Sequence, residues 1–413
     1  MKDFVTFLRR VVGAGFKGGW RYQAWLGLLV VLCLVGLNAY SRQLVRGLAM
    51  TGMTDEVSWG LYVANFTFLV GIAAAAVLVV IPVYVYKNKS LRDLVLFGEW
   101  MAVSALVMSI AFVIVDMGRP DRLWHMIPGI GKMSFPSSIL VWDVIVLSGY
   151  LVLNLYLATY LLYSKYRNQK PVWVRYKPFV MISIVWAISI HTVTAFLFMG
   201  LGGRPFWNTA LLGPRFIASA FTAGPALIIL ALIVIRAVTE YRIPNRGLLL
   251  LRRIIQVAIL INIFFLLNEL FKEFYTANLH VASATYLYFG LHGHEGLVPW
   301  IWTALVFNFT AMAVFLLPVS KDVRWLSFAC ILSVVGIWIE KGMGFVVPGF
   351  LPTPLGEIVE YTPSFNEVLV TVGIWGLGLL VFTILVRISL PVLQGKEQEA
   401  PAVVTSHAVA VGV

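Results

Sequence analysis

Charge is scarce in this chain. Asp, Glu, Lys and Arg make up 12% of its 413 residues against 60% hydrophobic ones, and a mean hydropathy of +0.88 excludes a water-soluble domain of this length. Cysteine is scarcer still. Cys33 and Cys330 are the only two, both lie inside apolar runs, and no CxxC or CxxCH occurs. Neither a disulfide framework, covalent haem nor an iron–sulfur cluster held by this chain is supported. The six histidines do not supply the two facing ligands that a membrane b-type haem usually needs. Only His191 is well inside an apolar run; His125, His280, His292 and His294 fall in outer loops and His407 in the tail. No resident haem, metal or cluster is expected.

What the chain has in quantity is long apolar runs. Ten are long enough to cross a bilayer, at about 23–41, 57–86, 93–116, 139–163, 178–200, 215–236, 252–274, 298–318, 325–342 and 366–391, where about 20 residues are needed. They are uniformly apolar rather than alternating, which fits helices and not barrel strands. The expected fold class is therefore all-α, a polytopic membrane protein of about ten transmembrane helices. Residues 1–22 form a cytoplasmic N-terminal segment, 23–391 the transmembrane domain and 392–413 a disordered cytoplasmic tail. Spans two to five and six to nine are expected to group as two four-helix bundles with flanking helices. The first run follows Lys2, Arg9, Arg10, Lys17 and Arg21 without a small-residue cleavage site, so it reads as a retained helix.

Basic residues set the orientation. With the N-terminus inside, 22 of the 31 Lys and Arg residues fall on one side and nine on the other, which places both termini in the cytoplasm. The net charge of +12 is thus mainly a topology signal, and nucleic acid is not an expected partner. The outer segments near 117–138, 275–297 and 343–365, with their Gly, Pro and aromatics, are positioned to cap a site.

Ionisable residues inside membrane helices are costly, so their depth is informative. Asp116 ends the third helix at the outer surface, Asp143 lies one turn inside the fourth and His191 in the outer half of the fifth. Glu269, Lys272 and Glu273 sit near the outer end of the seventh, and Glu340 with Lys341 near that of the ninth. Helical spacing aligns Asp55, Ser58, Tyr62 and Asn65 on one face; Asp143, Tyr150 and Asn154 on another; Ser109 with Asp116; and Asn262 with Glu269 and Glu273. Each has a structural use as well. Asp116 with Arg119, or Glu269 with Lys272, would serve as an interfacial ion pair, Asp143 or His191 as a packing or hydrogen-bonding anchor, and Trp59 and Tyr62 as part of an aromatic belt. Their shared leaflet points instead to one polar pocket open to the outside. A His, carboxylates and a Tyr without a metal suit a quinone, whose reduction takes up two protons.

The segments VSWGLYVANFTFLVGIAAAA, FVIVDMGRPDR, ILVWDVIVLSGYLVLN and SIHTVTAFLF together resemble the NrfD/PsrC family, membrane subunits of respiratory complexes such as polysulfide reductase. The resemblance is strong over about residues 40 to 240 and looser beyond. Within the family the likeness runs to QrcD-type menaquinone reductase subunits and DsrP-type subunits of sulfate-reducing organisms, which implies sulfate respiration and the bacterial inner membrane. It implies a quinone-reactive subunit that takes menaquinone as its substrate near the outer face and binds no cofactor of its own. The implied partners are a periplasmic ferredoxin-like iron–sulfur subunit, multihaem cytochrome c or molybdopterin-family subunits, and membrane lipid. The matching positions are Trp59, Tyr62, Asn65, Asp116, Arg119, Asp143 and His191; Glu269 and Glu273 join them from facing and depth. Asp116, His191 and Glu269 are the candidate catalytic groups, and Trp59, Tyr62, Asn65, Arg119, Asp143 and Glu273 the candidate quinone-binding ones. Menaquinone reduction is favoured. The alternatives are menaquinol oxidation in a DsrMKJOP-like complex and an ion or proton transporter, for which the Pro225 segment is the single helix break within a span.

Overall fold

The computed structural model describes residues 2–84, 94–127, 129–276 and 281–396. His280, His407 and most of the expected disordered tail lie outside the described residues. In chain order the helices are α1 (Lys2–Gly15), α2 (Trp20–Arg46), α3 (Leu61–Ala74), α4 (Val77–Tyr84), α5 (Val95–Asp116), α6 (Ile139–Tyr166), α7 (Trp173–Met199) and α8 (Leu212–Val238). They continue with α9 (Asn245–Thr276), α10 (Val281–Phe289), α11 (Val298–Leu316), α12 (Val323–Lys341), α13 (Met343–Val346) and α14 (Phe365–Leu393). Among the described residues there is no strand, and ten stretches are long and apolar enough to cross a membrane. The chain is an all-α, multi-pass membrane protein.

Helix pairings close into two rings of four. One ring is α3–α5–α6–α7 and the other α8–α9–α11–α12, joined where α8 meets α3 and α7 and where α12 meets α3. Helices α2 and α14 pair with each other and lean on the first ring through α5. A membrane gives packing little hydrophobic reward, so close backbone approach does the work. At the α2–α14 crossing, a Cβ on Gly36 or Gly373 would come within 2.5 Å of the other's Cα; only hydrogen fits.

Residues 2–15 form a helix whose Phe7 and Val11 share a buried cluster with Tyr166, Leu96 and Leu162. Three expectations change. The second span begins at Leu61 rather than near residue 57, so Asp55 and Ser58 lie in the exposed loop before it and do not extend the Tyr62–Asn65 face. Pro225 leaves α8 continuous. The break falls opposite, between Ala74 and Val77, where Ala75 packs directly on Gly224 and the ladder shortens to Ala75 N–H with Ile72 O and Leu78 N–H with Ala75 O. Finally, residues 343–351 are buried rather than an outer loop: the chain beyond α12 folds into α13 and a 3-10 turn at Pro348–Phe350. That turn is tied down by Trp207 Nε1 donating to Phe345 O (3.0 Å), Arg204 to Phe350 O (3.0 Å) and Ser283 Oγ to Leu351 O (2.5 Å).

Candidate functional site

Strict alternation of the spans puts the C-terminal ends of α2, α5 and α7 and the N-terminal ends of α3, α8 and α14 on one face. At its rim the last turn of α5 presents Asp116. Its carboxyl is half-buried, and Oδ1 is shielded from solvent with no hydrogen-bond partner among the described residues. Around it stand groups that the charge pattern did not reveal. Tyr62 donates to Gln43 Oε1 (2.8 Å), and Gln43 Nε2 donates to Val115 O (2.7 Å), one residue from Asp116. Glu367, within electrostatic range of Asp116, caps α14 through Ser364. It accepts from Ser364 N (2.9 Å), Gly52 N (2.6 Å) and Tyr361 OH (2.7 Å). Burial and the Glu367 charge raise the Tyr361 phenol above its usual range, so it remains a donor. Glu367 was missed although SFNE carries the S-x-x-E capping signal that would have found it; Gln43, uncharged and inside a helix, carried none.

Arg119 does not pair with Asp116. It turns outward after Gly118 and grips Asp121 with two bonds, 3.0 and 2.9 Å, both side chains well exposed. Hydrogen bonding from Arg119 holds the Asp121 carboxyl below its usual range. Pro120 then opens a short 3-10 turn to Met126, which explains why the charge-rich loop follows the helix so abruptly.

The other candidates separate into distinct contacts rather than one pocket. Trp59 stacks on Trp207 (5.6 Å) and meets Phe198 and Phe350 edge-on. Asn65 is fully engaged: its amide donates to Leu61 O (2.8 Å) and its carbonyl accepts from Trp338 (3.1 Å) and Trp375 (2.9 Å). Leucine there would strand two indole N–H groups at about 1–3 kcal/mol each. Asn65→Leu is therefore expected to lower the melting temperature and shift tryptophan emission while sparing quinone turnover per folded molecule. A turnover defect without a stability change would restore a ligand role. Asp143 is buried and accepts from Thr194 Oγ1 (3.0 Å). Asn154, one turn beyond Tyr150, donates to the Tyr150 carbonyl (2.7 Å).

His191 and Lys341 share a cavity with Thr67, Gly71, Phe216 and Ser219. Among the described residues neither His191 Nδ1 nor Lys341 Nζ has a hydrogen-bond partner, and Nζ lies 4.5 Å from the Phe216 ring centroid. The cavity, about 10 Å³, holds about one water; a quinone ring does not reach His191 in this conformation. Beside it, Arg215 pairs with Glu269 and, at 3.0 Å, with Glu340, whose other oxygen accepts from Asn308 Nδ2 (2.8 Å). Glu273 pairs with Lys272 (3.3 Å). Arg215 opens the sixth predicted span, and an arginine at a helix end looks like any interfacial anchor, so its pairing with Glu269 and Glu340 was missed. Among the described residues no three His, Cys, Asp or Glu side chains converge as metal ligands.

The polysulphide reductase NrfD family profile matches residues 49–347. The chain is similar to a putative dimethyl sulfoxide reductase membrane subunit of Halobacterium salinarum, at 24% identity over 92% of this chain and 94% of that protein. It is similar to an Hdr-like menaquinol oxidoreductase integral membrane subunit of Archaeoglobus fulgidus, at 23% over 88% and 93%. A selenate reductase subunit of Mesobacillus selenatarsenatis is 24% identical over 89% and 93%.

Proposed function

Because the chain belongs to the polysulphide reductase NrfD family, we propose that it is the quinone-reactive membrane subunit of a multisubunit menaquinone oxidoreductase. It exchanges electrons with a ferredoxin-like iron–sulfur subunit docked on the Asp116 face, fed in turn by multihaem cytochrome c or molybdopterin-family subunits. The observation that carries this reading is the shielded, unpartnered Oδ1 of Asp116 beside the Tyr62–Gln43 and Tyr361–Glu367 pairs. A quinone reduced by two electrons takes two protons, one at each carbonyl oxygen, and Asp116 is a proton carrier with spare capacity at a half-open rim. The name of the Archaeoglobus relative includes menaquinol, which supports the substrate class. Reduction of menaquinone is the favoured direction; oxidation would run the same proton steps in reverse. The 22-to-nine division of basic residues supports a bacterial inner membrane topology with the Asp116 face periplasmic and both termini cytoplasmic.

Purified complex in mild detergent, mixed with a menaquinone analogue, tests the reading. Oxidation of prereduced haem and iron–sulfur centres by the analogue is the expected result; centres that neither reduce the quinone nor accept from the quinol overturn it. Arg119→Ala is expected to leave thermal stability unchanged and to reduce recovery of the iron–sulfur partner on copurification. Full recovery would remove this loop from the docking surface.

One observation favours a second reading, ion or proton transport. The break between α3 and α4 lies in a membrane span on the segment that supplies Gly71 to the His191–Lys341 cavity, and broken helices commonly mark transported-ion sites. Ion-driven dye quenching in vesicles holding the chain alone would favour that reading over the redox one.

A further inference from the structure

At the end opposite Asp116 lies a cavity of about 490 Å³, within the size range of ligand pockets and far larger than the one beside His191. Its lining is apolar at Leu96, Leu161, Leu162 and Leu393 and carries Lys165 from the last turn of α6 and Lys170 from the segment that follows. Among the described residues that line it, none is acidic. We propose that this cavity binds an anionic phospholipid, the phosphate on the two lysines and an acyl chain along the leucine floor.

Charge and shape agree with that occupant. Basic pockets between transmembrane helices on the cytoplasmic side are suited to acidic headgroups, and this end carries the excess of Lys and Arg. A leucine wall with two lysines in the same lining fits an amphiphile, whereas a free phosphate needs no apolar floor.

Helix α1 extends the same surface. Phe7 and Val11 share one buried cluster with Leu96 and Leu162, two residues that line the cavity, and Arg10 donates to Tyr166 OH (3.3 Å). Its Val5, Leu8 and Val12 remain exposed. On a helical wheel they adjoin the buried face, while Arg9, Arg10 and Thr6 occupy the other side. Amphipathic helices with this pattern lie at the headgroup boundary, and α1 shares Leu96 and Leu162 with the cavity.

This site is independent of the quinone reading, and its test is too. Delipidated full-length protein would be titrated with phosphatidylglycerol, phosphatidylcholine or inorganic phosphate and bound lipid counted by native mass spectrometry. Wild type is expected to prefer phosphatidylglycerol by about 30-fold, about fivefold for each lysine. Lys165→Gln/Lys170→Gln is expected to lose that preference with unchanged melting, since both lysines are exposed. Equal retention of the two lipids by wild type, or equal preference in both proteins, overturns the proposal. Displacement of the lipid by millimolar inorganic phosphate, or retention of quinone in place of phospholipid, overturns it as well and reassigns the cavity.

Discussion

Asp116→Asn is expected to leave the subunit folded and assembled while slowing quinone turnover by about 10²- to 10⁴-fold, the range of a lost general acid or base. Asparagine keeps the shape of the side chain and removes its titrating proton. The neighbours cannot substitute. Glu367 already accepts from Gly52, Ser364 and Tyr361, so protonating it would break the α14 cap. Tyr62 is committed to Gln43, and Arg119 to Asp121. Among the described acids at this rim, Asp116 combines partial exposure with a shielded oxygen that has no donor among the described residues. The measurement is single-turnover reduction of a menaquinone analogue by the prereduced complex, with partner recovery as the assembly control. Normal turnover in the assembled variant would return Asp116 to the role of a helix-end residue.

The spans were legible because a bilayer demands long apolar runs, and those leave a signal in a single sequence. The alternation of ends followed, and with it the shared leaflet of Asp116, His191 and Glu269. Partner choice was not legible. Spacing reports which residues share a face of one helix, but a carboxylate's partner is chosen across helices by crossing and rotation. Arg119, three residues from Asp116, turns away to Asp121, and Glu269 reaches Arg215 on another helix rather than Lys272 on its own. Asn65 shows the same limit: its polar stripe is real, yet two indoles from α12 and α14 consume it. The helix break was misplaced for a related reason. Pro225 advertises a break that α8 absorbs, while Ala75 and Ala76 advertise nothing and yield to the close approach of Gly224.

Arg215→Met is expected to cost about 3–5 kcal/mol of stability, the penalty for removing one partner from a buried ion pair. The four helices of the second ring meet at this cation. Arg215 comes from α8, Glu269 from α9 and Glu340 from α12, and Asn308 of α11 reaches Glu340 from the far side. Removing the guanidinium leaves Glu340, almost fully buried, with Asn308 as its remaining hydrogen-bond donor among the described residues, beside the adjacent Lys341, whose Nζ has no hydrogen-bond partner among them. Cys330 offers the readout. It is buried in α12, so its reaction with a maleimide dye reports opening of this ring, and about 3 kcal/mol raises the open population roughly 100-fold. Labelling should accelerate by at least that factor in Arg215→Met, and Arg215→Met/Glu340→Gln should recover part of the loss because no carboxylate is then stranded at α12. Unchanged labelling would mean that desolvation cancels the pairing and that the cluster is kept for another purpose. The same carboxylates, Glu269 and Glu340, would then be free to serve as proton carriers beside His191.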